Sequence, residues 1–306
     1  MTGGPPGGNH DARSPLPGTV MLHSLAEDLQ QLVRTREFAF DDRDFDAIRA
    51  LVKQLTGINL SNQKRELVYG RLARRLRALG LKTFRAYRER LALDHGELAK
   101  FCNAITTNLT SFFRERHHFD HLREKVLLPF AAAAGSRRLR IWSAGCSTGE
   151  EPYSIAMTVA ETLPDFARRD IRILATDVDS DVLERAEAGV YPIDRVKAIG
   201  PERLGRFFME TRDRTGPAYS VSREVRSLIT FRQLNLVHQL PMRGPLDVIF
   251  CRNTIIYFDK ETQRELFARI AVLQRSDDLL CLGHSENLFR VSDQYAPIGR
   301  TMYRRV

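Results

Sequence analysis

Residues 140–157 read RIWSAGCSTGEEPYSIAM, and the reading of this stretch decides the fold. Ile141 and Trp142 extend an apolar run from Leu139, Gly145 and Gly149 bracket a tight turn, and residues 153–157 open a helical pattern. A strand that runs through a glycine-bearing turn into a helix is the geometry of a nucleotide-type cofactor loop. Such turns also serve purely structural ends, so the ligand must be argued from the residues around the glycines. Glu150 and Glu151 stand at the helix start, where a pyrophosphate would otherwise meet exposed amides. Two carboxylates there repel a dinucleotide. They suit a ligand with a ribose and positive charge but no phosphate, which describes S-adenosylmethionine (SAM) with its sulfonium and ammonium groups.

Outward from this loop, the apolar segments RLRIWSAG (138–145), DIRILATD (170–177), SLITFRQL (227–234), LDVIFC (246–251) and LLCLG (279–283) alternate with helical ones. That alternation predicts a parallel, doubly wound sheet, in which ligands bind beyond the carboxyl ends of the strands. Polar residues stand at those ends. Asp177 closes the second strand, where a carboxylate can accept both ribose hydroxyls; Asn235 follows the third; Arg252, Asn253 and Tyr257 interrupt the apolar run after the fourth. Each alone reads as a cap or turn residue, but together they outline a ligand crevice.

The 306 residues fit about two domains, and a hydrophobic fraction of 43% can build a sizeable core. Residues 1–21, rich in glycine and proline, are expected to be a disordered lead. Residues 22–103 carry a helical pattern and residues 104–306 the alternating one. Phe45, Ile48, Leu51, Val52 and Leu55 recur at helical spacing before Gly57, a second helix runs from Ser61 or Asn62 to Gly80, and a third begins near Thr83 with Phe84, Tyr87 and Leu91. No run approaches the roughly 18 apolar residues of a membrane span, and the N-terminus has no apolar signal core. A cytoplasmic protein without direct membrane insertion is expected. Cys102, Cys146, Cys251 and Cys281 are scattered with no C-x-x-C pair, so buried free thiols are expected, with no disulfide framework and no metal.

The net charge of +9 implies an acidic partner, and the second helix shows where it could dock. At 100° per residue Val68, Leu72, Leu76 and Leu79 fall within about 80° of one another, while Lys64, Arg71, Arg74 and Arg75 cover a neighbouring sector of about 100°. A solvated basic face is the plain reading. The sharper one is a surface for an acidic helix of a partner protein, because no aromatic residues are interleaved to stack on bases and no nucleic acid is expected. The fourth strand end also lacks an Asp/Asn-Pro-Pro-Tyr segment of the kind used to hold a flipped base. Arg65 points toward the apolar side and fits neither reading.

Four motifs carry a resemblance: TTNLTSFFRERHHF (106–119), SAGCSTGEEPYSIAM (143–157), FCRNTIIYFD (250–259) and GHSENL (283–288). Together with the basic helix ending RLARRLRALGL, they make residues 40–306 similar to the CheR-type chemoreceptor glutamate methyltransferases, a family of SAM-dependent enzymes. The resemblance implies an α/β, Rossmann-like methyltransferase domain with a small antiparallel β insertion at about 192–230, preceded by an all-helical domain that docks on the helical cytoplasmic domain of chemoreceptors. It carries cofactor contacts over to Asn108, Thr110, Arg114, Glu151, Asp177, Asn235, Leu236, Arg252 and Asn253, with Asn235 and Leu236 near the adenine. Arg114 and Tyr257 are the candidates nearest the transferred methyl. His117 and His118 are expected to be structural, because the implied chemistry leaves them no proton to take, and Glu150 to support the turn.

The implied reaction transfers the SAM methyl to a receptor glutamate, giving a γ-glutamyl methyl ester and S-adenosylhomocysteine. Three departures stand out. Thr254 and Ile255 replace a usual apolar pair, the turn QRSDDLL lacks the usual glycine, and TGPAYSVSREV is shorter and poorer in glycine than in members that grip a receptor's tail peptide. The last predicts an enzyme independent of such a tail.

Overall fold

The computed structural model describes residues 1–4, 36–133, 137–214 and 216–306. The expected disordered lead therefore lies, from residue 5 on, outside the described residues, as does the expected helical pattern over 22–35.

Four helices among the described residues form the first layer. Helix α1 (Asp42–Thr56) starts where Asp41 accepts the Asp44 amide at 2.8 Å, and it ends at Gly57, whose φ of 74° lies in the left-handed region. A Cβ at Gly57 would stand 2.2 Å from Val237 Cγ1, so the stop residue also lets the helix end approach the second half of the chain. A 3-10 turn, Asn62–Lys64, leads into α2 (Arg65–Leu79), which Gly80 closes. Helices α3 (Phe84–Leu93) and α4 (His95–Ile105) are capped by Thr83 and Asp94. Ile48, Val52, Val68, Leu72, Leu76, Phe84, Tyr87 and Phe101 meet in one core with no exposed surface. Arg65 lies on the apolar side because it bridges Asp42 and the Phe40 carbonyl, the latter at 3.0 Å.

The remainder is built on strands β1 (Arg138–Ala144) and β2 (Asp170–Asp177), an insertion, and strands β6 to β10. The insertion holds β3 (Val190–Pro192), β4 (Phe208–Asp213) and β5 (Gly216–Val221) as an antiparallel sheet in the order β3-β5-β4. It starts two residues before the expected position 192 and ends short of 230, because β6 (Ile229–Gln233) already belongs to the main sheet. Strands β7 (Val248–Cys251), β8 (Leu279–Leu282), β9 (Tyr295–Gly299) and β10 (Met302–Arg305) complete a seven-stranded sheet in the order β6-β2-β1-β7-β8-β10-β9.

The five strands expected from apolar runs are parallel, but β10 pairs antiparallel with β8 and with β9. The sheet is thus mixed, which corrects the parallel expectation. The cause is local: in residues 295–305, YAPIGRTMYRR, Pro297, Gly299 and the arginines break up the apolar residues so that no strand is announced. The chain leaves β1 toward β2 and β6, then crosses to β7 and β8, so the order reverses between β1 and β7.

Both faces of this sheet are covered. Ile141, Ile173 and Phe250 face helix α5 (Glu150–Thr162), and Trp142, Ile249 and Leu280 face helix α7 (Lys260–Ala271); α6 (Ser180–Ala188) follows β2. Full burial of such side chains contributes about 1.5–3 kcal/mol each. Cys146, Cys251 and Cys281 are buried free thiols, and Cys102 is half-buried. No helix among the described residues is long and apolar enough to cross a membrane. Replacing Leu72 by Ala should leave a void in the helical core and cost about 2–5 kcal/mol, read as a shift in the chemical denaturation midpoint; a cost below about 1 kcal/mol would show that this core is not packed as described.

Candidate active site

A cavity of about 900 Å³, counting its mouth, opens past the carboxyl ends of β1, β2, β6 and β7. Its shape begins with the turn after β1. Gly145 and Cys146 donate to the Thr176 carbonyl at 2.8 and 2.9 Å, which lashes the turn to the end of β2. Gly145 has φ 85°, and a Cβ there would stand 2.3 Å from Thr254 Oγ1, so the position demands glycine. Thr254 itself donates to the Arg252 and Ala144 carbonyls at 3.1 and 3.3 Å, a polar tie where an apolar residue was expected.

Glu151 faces the cavity, accepting from Ser143 Oγ at 2.7 Å and from Arg252 Nη1 at 2.9 Å. Burial raises its carboxyl, opposed by the Arg252 charge. Glu150 is fully buried and pairs with Arg195 of the insertion, which also donates to the Thr110 carbonyl at 3.2 Å. Asp177 accepts the Ser147 and Asp179 amides at 2.8 and 3.0 Å, and burial raises its carboxyl too. Asn108 and Thr110 enter from the segment after α4. The Asn108 amide donates to Asp179 at 2.8 Å, and Asp179 also accepts Thr106 Oγ1 at 2.6 Å.

Across the cavity, Leu236 is buried and Asn235 donates to the Leu55 carbonyl at 2.6 Å. The Asn235 amide thus bonds the end of α1, and that helix contributes Thr56 and the following Ile58 to the wall. Asn253 has φ 56° and is held through its amide by Glu286, whose carboxylate also accepts the amides of Gly283, Ile255 and Ile256 at 2.6–3.2 Å. This buried carboxylate shapes the loop that carries Asn253 and Tyr257. Tyr257 is half-buried, its hydroxyl has no hydrogen bond among the described residues, and its carbonyl accepts the Asn59 amide at 2.7 Å. Arg114, also half-buried, donates to the Leu109 carbonyl at 3.1 Å.

All the residues expected at the cofactor thus line one cavity. The four expected docking residues do not share one fate. Lys64 and Arg74 are exposed with no ion pair among the described residues, whereas Arg75 grips the buried Glu97 at 2.6 Å and Arg71 donates to the carbonyls of Ala104, Ile105 and Thr106. Angle on a helical wheel groups these four, but Arg71 and Arg75 are engaged within the chain, by the end of α4 and by Glu97. Asp179, Glu286, Thr56 and Ile58 were missed. Only Glu286 had a signal, lying within the quoted GHSENL segment.

His118 is buried against Phe250, and its Nε2 lies 3.1 Å from Thr301 Oγ1; His117 Nε2 lies 3.2 Å from the Arg300 carbonyl. These two and Glu115 form a group whose ligand atoms lie within 4.8 Å of one another, but Arg252 stands 3.5 Å from the Glu115 carboxylate and competes for it.

The donor set fits SAM. The lining includes the apolar residues Ile58, Leu234, Leu236 and Phe258, which suit a flat ring. It also includes Asp177 and Glu151, which suit ribose hydroxyls and positive charge, while the charge of Arg252 is taken up by Glu151 and Glu115. The fold and this cleft define a SAM-dependent methyltransferase.

The chain belongs to the CheR methyltransferase family: residues 108–304 match the family's SAM binding domain and residues 43–106 its all-alpha domain. It is 45% identical over 272 residues to chemotaxis protein methyltransferase 2 of Pseudomonas aeruginosa, covering 88% of this chain and 95% of that protein. It is 43% identical over 282 residues to the chemotaxis protein methyltransferase of Escherichia coli, covering 89% and 94%.

The His118 environment generates a pH dependence. Burial, helped by the Arg252 and His117 charges and opposed by Glu115, pushes the imidazole from 6.5 down to about 3. The unfolded chain takes up this proton below about 6.5 and the folded chain only near 3, so stability falls as pH drops through that window. His118→Gln should flatten the slope of unfolding free energy against pH between those values by up to about 1.4 kcal/mol per pH unit. An unchanged slope in denaturation series would contradict the assigned burial.

Proposed function

We propose that this chain methylates glutamate side chains on the helical cytoplasmic domain of chemoreceptors in a chemotaxis pathway, forming γ-glutamyl methyl esters and S-adenosylhomocysteine in the cytoplasm. The observation that carries this reading is the spare capacity of Arg114 and Tyr257 at the cavity. Among the described residues, one guanidinium with a single side-chain hydrogen bond and one hydroxyl with none stand beside the acidic cofactor pocket, ready for an incoming carboxylate. The relatives named chemotaxis protein methyltransferases support the pathway.

The chemistry asks little of the protein beyond positioning. SAM supplies an electrophilic methyl carbon on its sulfonium. A glutamate with pKa about 4.3 is already ionised at neutral pH, so its oxygen can form the new C–O bond while the C–S electron pair stays on sulfur, and no base is needed. Burial raises the Tyr257 phenol, which keeps it protonated and able to donate, while the Arg114 charge opposes the rise. Arg114 would orient the carboxylate as a cation, and holding the pair in line supplies the entropic advantage of a preoriented reaction. Lys64, just before α2, and Arg74 on it supply exposed positive charge for an acidic partner helix. The short edge strand β4 carries Glu210, Arg212 and Asp213, which discourages strand addition by a peptide and supports independence from a receptor tail.

Labelled SAM incubated with receptor-bearing membranes should give label that alkali releases as methanol; retention of the label after alkali would rule out a carboxyl ester. Arg114→Ala and Tyr257→Phe should slow single-turnover methyl transfer on the order of 100-fold and tenfold, with smaller effects on S-adenosylhomocysteine affinity. Unchanged rates would remove both residues from the mechanism.

A further inference from the structure

We infer that Arg71, although it lies on the basic helix α2, is a positioning residue for the cofactor site, acting through the backbone that leads from α4 to Asn108. The inference rests on the reading of the cavity as a SAM site.

Helix α4 ends at Ile105, and the last carbonyls of a helix have no partner within it. Arg71 Nη1 donates to Ala104 O at 3.2 Å and to Ile105 O and Thr106 O at 2.7 Å each, and Nη2 reaches Thr107 Oγ1 at 3.4 Å. A cation at this end is also favoured by the helix dipole. The same guanidinium therefore holds four consecutive residues.

Those residues are tied on their other side to the second half of the chain. Thr106 Oγ1 donates to Asp179 Oδ2 at 2.6 Å and Asn108 Nδ2 to the same oxygen at 2.8 Å, while the other oxygen of Asp179 caps α6 by accepting Asp181 N at 3.0 Å. Asn103 Nδ2 adds a bond to Ser180 Oγ at 2.9 Å. The segment 103–108 is thus strung between Arg71 and the start of α6, and it delivers Thr106, Thr107 and Asn108 to the cavity wall. Lys64 and Arg74, by contrast, are exposed and have no ion pair among the described residues. The basic segment divides its labour: Lys64 and Arg74 face outward, and Arg71 sets the register of the segment that lines the cofactor pocket.

Calorimetry with S-adenosylhomocysteine on the full chain, without any receptor present, tests this. Wild-type protein should bind; failure to bind would sink the reading of the cavity itself. Given that binding, Arg71→Ala should weaken it about tenfold or more, and Arg71→Lys, whose single ammonium lacks the reach and fork of the guanidinium, should weaken it by a smaller factor. Both variants are measured below the onset of their melting, so that loss of fold is not mistaken for loss of positioning. Arg74→Ala should leave this affinity within twofold while raising KM for receptor. Wild-type affinity in both Arg71 variants, with KM for receptor raised as in Arg74→Ala, would overturn the inference and return Arg71 to the docking surface.

Discussion

The structure depends most on the buried guanidinium of Arg252. Its side chain is only 2% exposed, yet it joins the end of β7 to two other segments: the start of α5 through Glu151, and the end of the TTNLTSFFR stretch through the Arg114 carbonyl and Glu115. Burying one such charge alone would be prohibitive, and it is tolerated because two carboxylates and a carbonyl surround it. Burial would raise the Glu115 carboxyl, but Arg252 and the His284 amide together hold it below the usual range. The network thus locks the charge states around the cavity as well as its shape.

Glu286 plays the corresponding role for the backbone. A carboxylate that accepts four amides from two loops gives Asn253 a left-handed conformation and leaves Tyr257 aimed at the cavity. The end of α1 then leans on the same loops, through Asn59 on the Tyr257 carbonyl, Asn235 on the Leu55 carbonyl, and Lys53 on Asp259 at 2.6 Å. The helical layer is therefore part of the cofactor cleft and not merely an appended docking module.

Much of this was legible in the chain. The five parallel strands showed as apolar segments: β7 and β8 are buried on both faces and read as continuous apolar runs, VIFC and LLCL, whereas the edge strand β6 is buried only at Phe231. Helices α1 and α2 showed through spacing and through Gly57 and Gly80 at their ends, and α3 through Phe84, Tyr87 and Leu91, whereas α4 was not separated from the general helical pattern. The terminal hairpin did not show, since β9 and β10 lie at the sheet's outer side, where Pro297 and Gly299 interrupt one strand and arginines end the other.

The sequence by itself determined the class of chemistry: acidic residues beside a glycine turn, and polar residues at successive strand ends, suffice to identify a cleft for a cationic, ribose-bearing cofactor. Tertiary structure decided which like residues do unlike work. Arg71, Arg74 and Arg75 occupy one helical sector, yet of the three only the Arg74 side chain has no hydrogen bond or ion pair among the described residues, because Glu97 and the carbonyls of α4 come from elements distant in sequence. Asp177 and Asp179 lie two residues apart, yet one lines the cavity and the other anchors Asn108. A side chain's type limits what it can bind, but its partner is set by which distant backbone or charge the fold brings within about 3 Å.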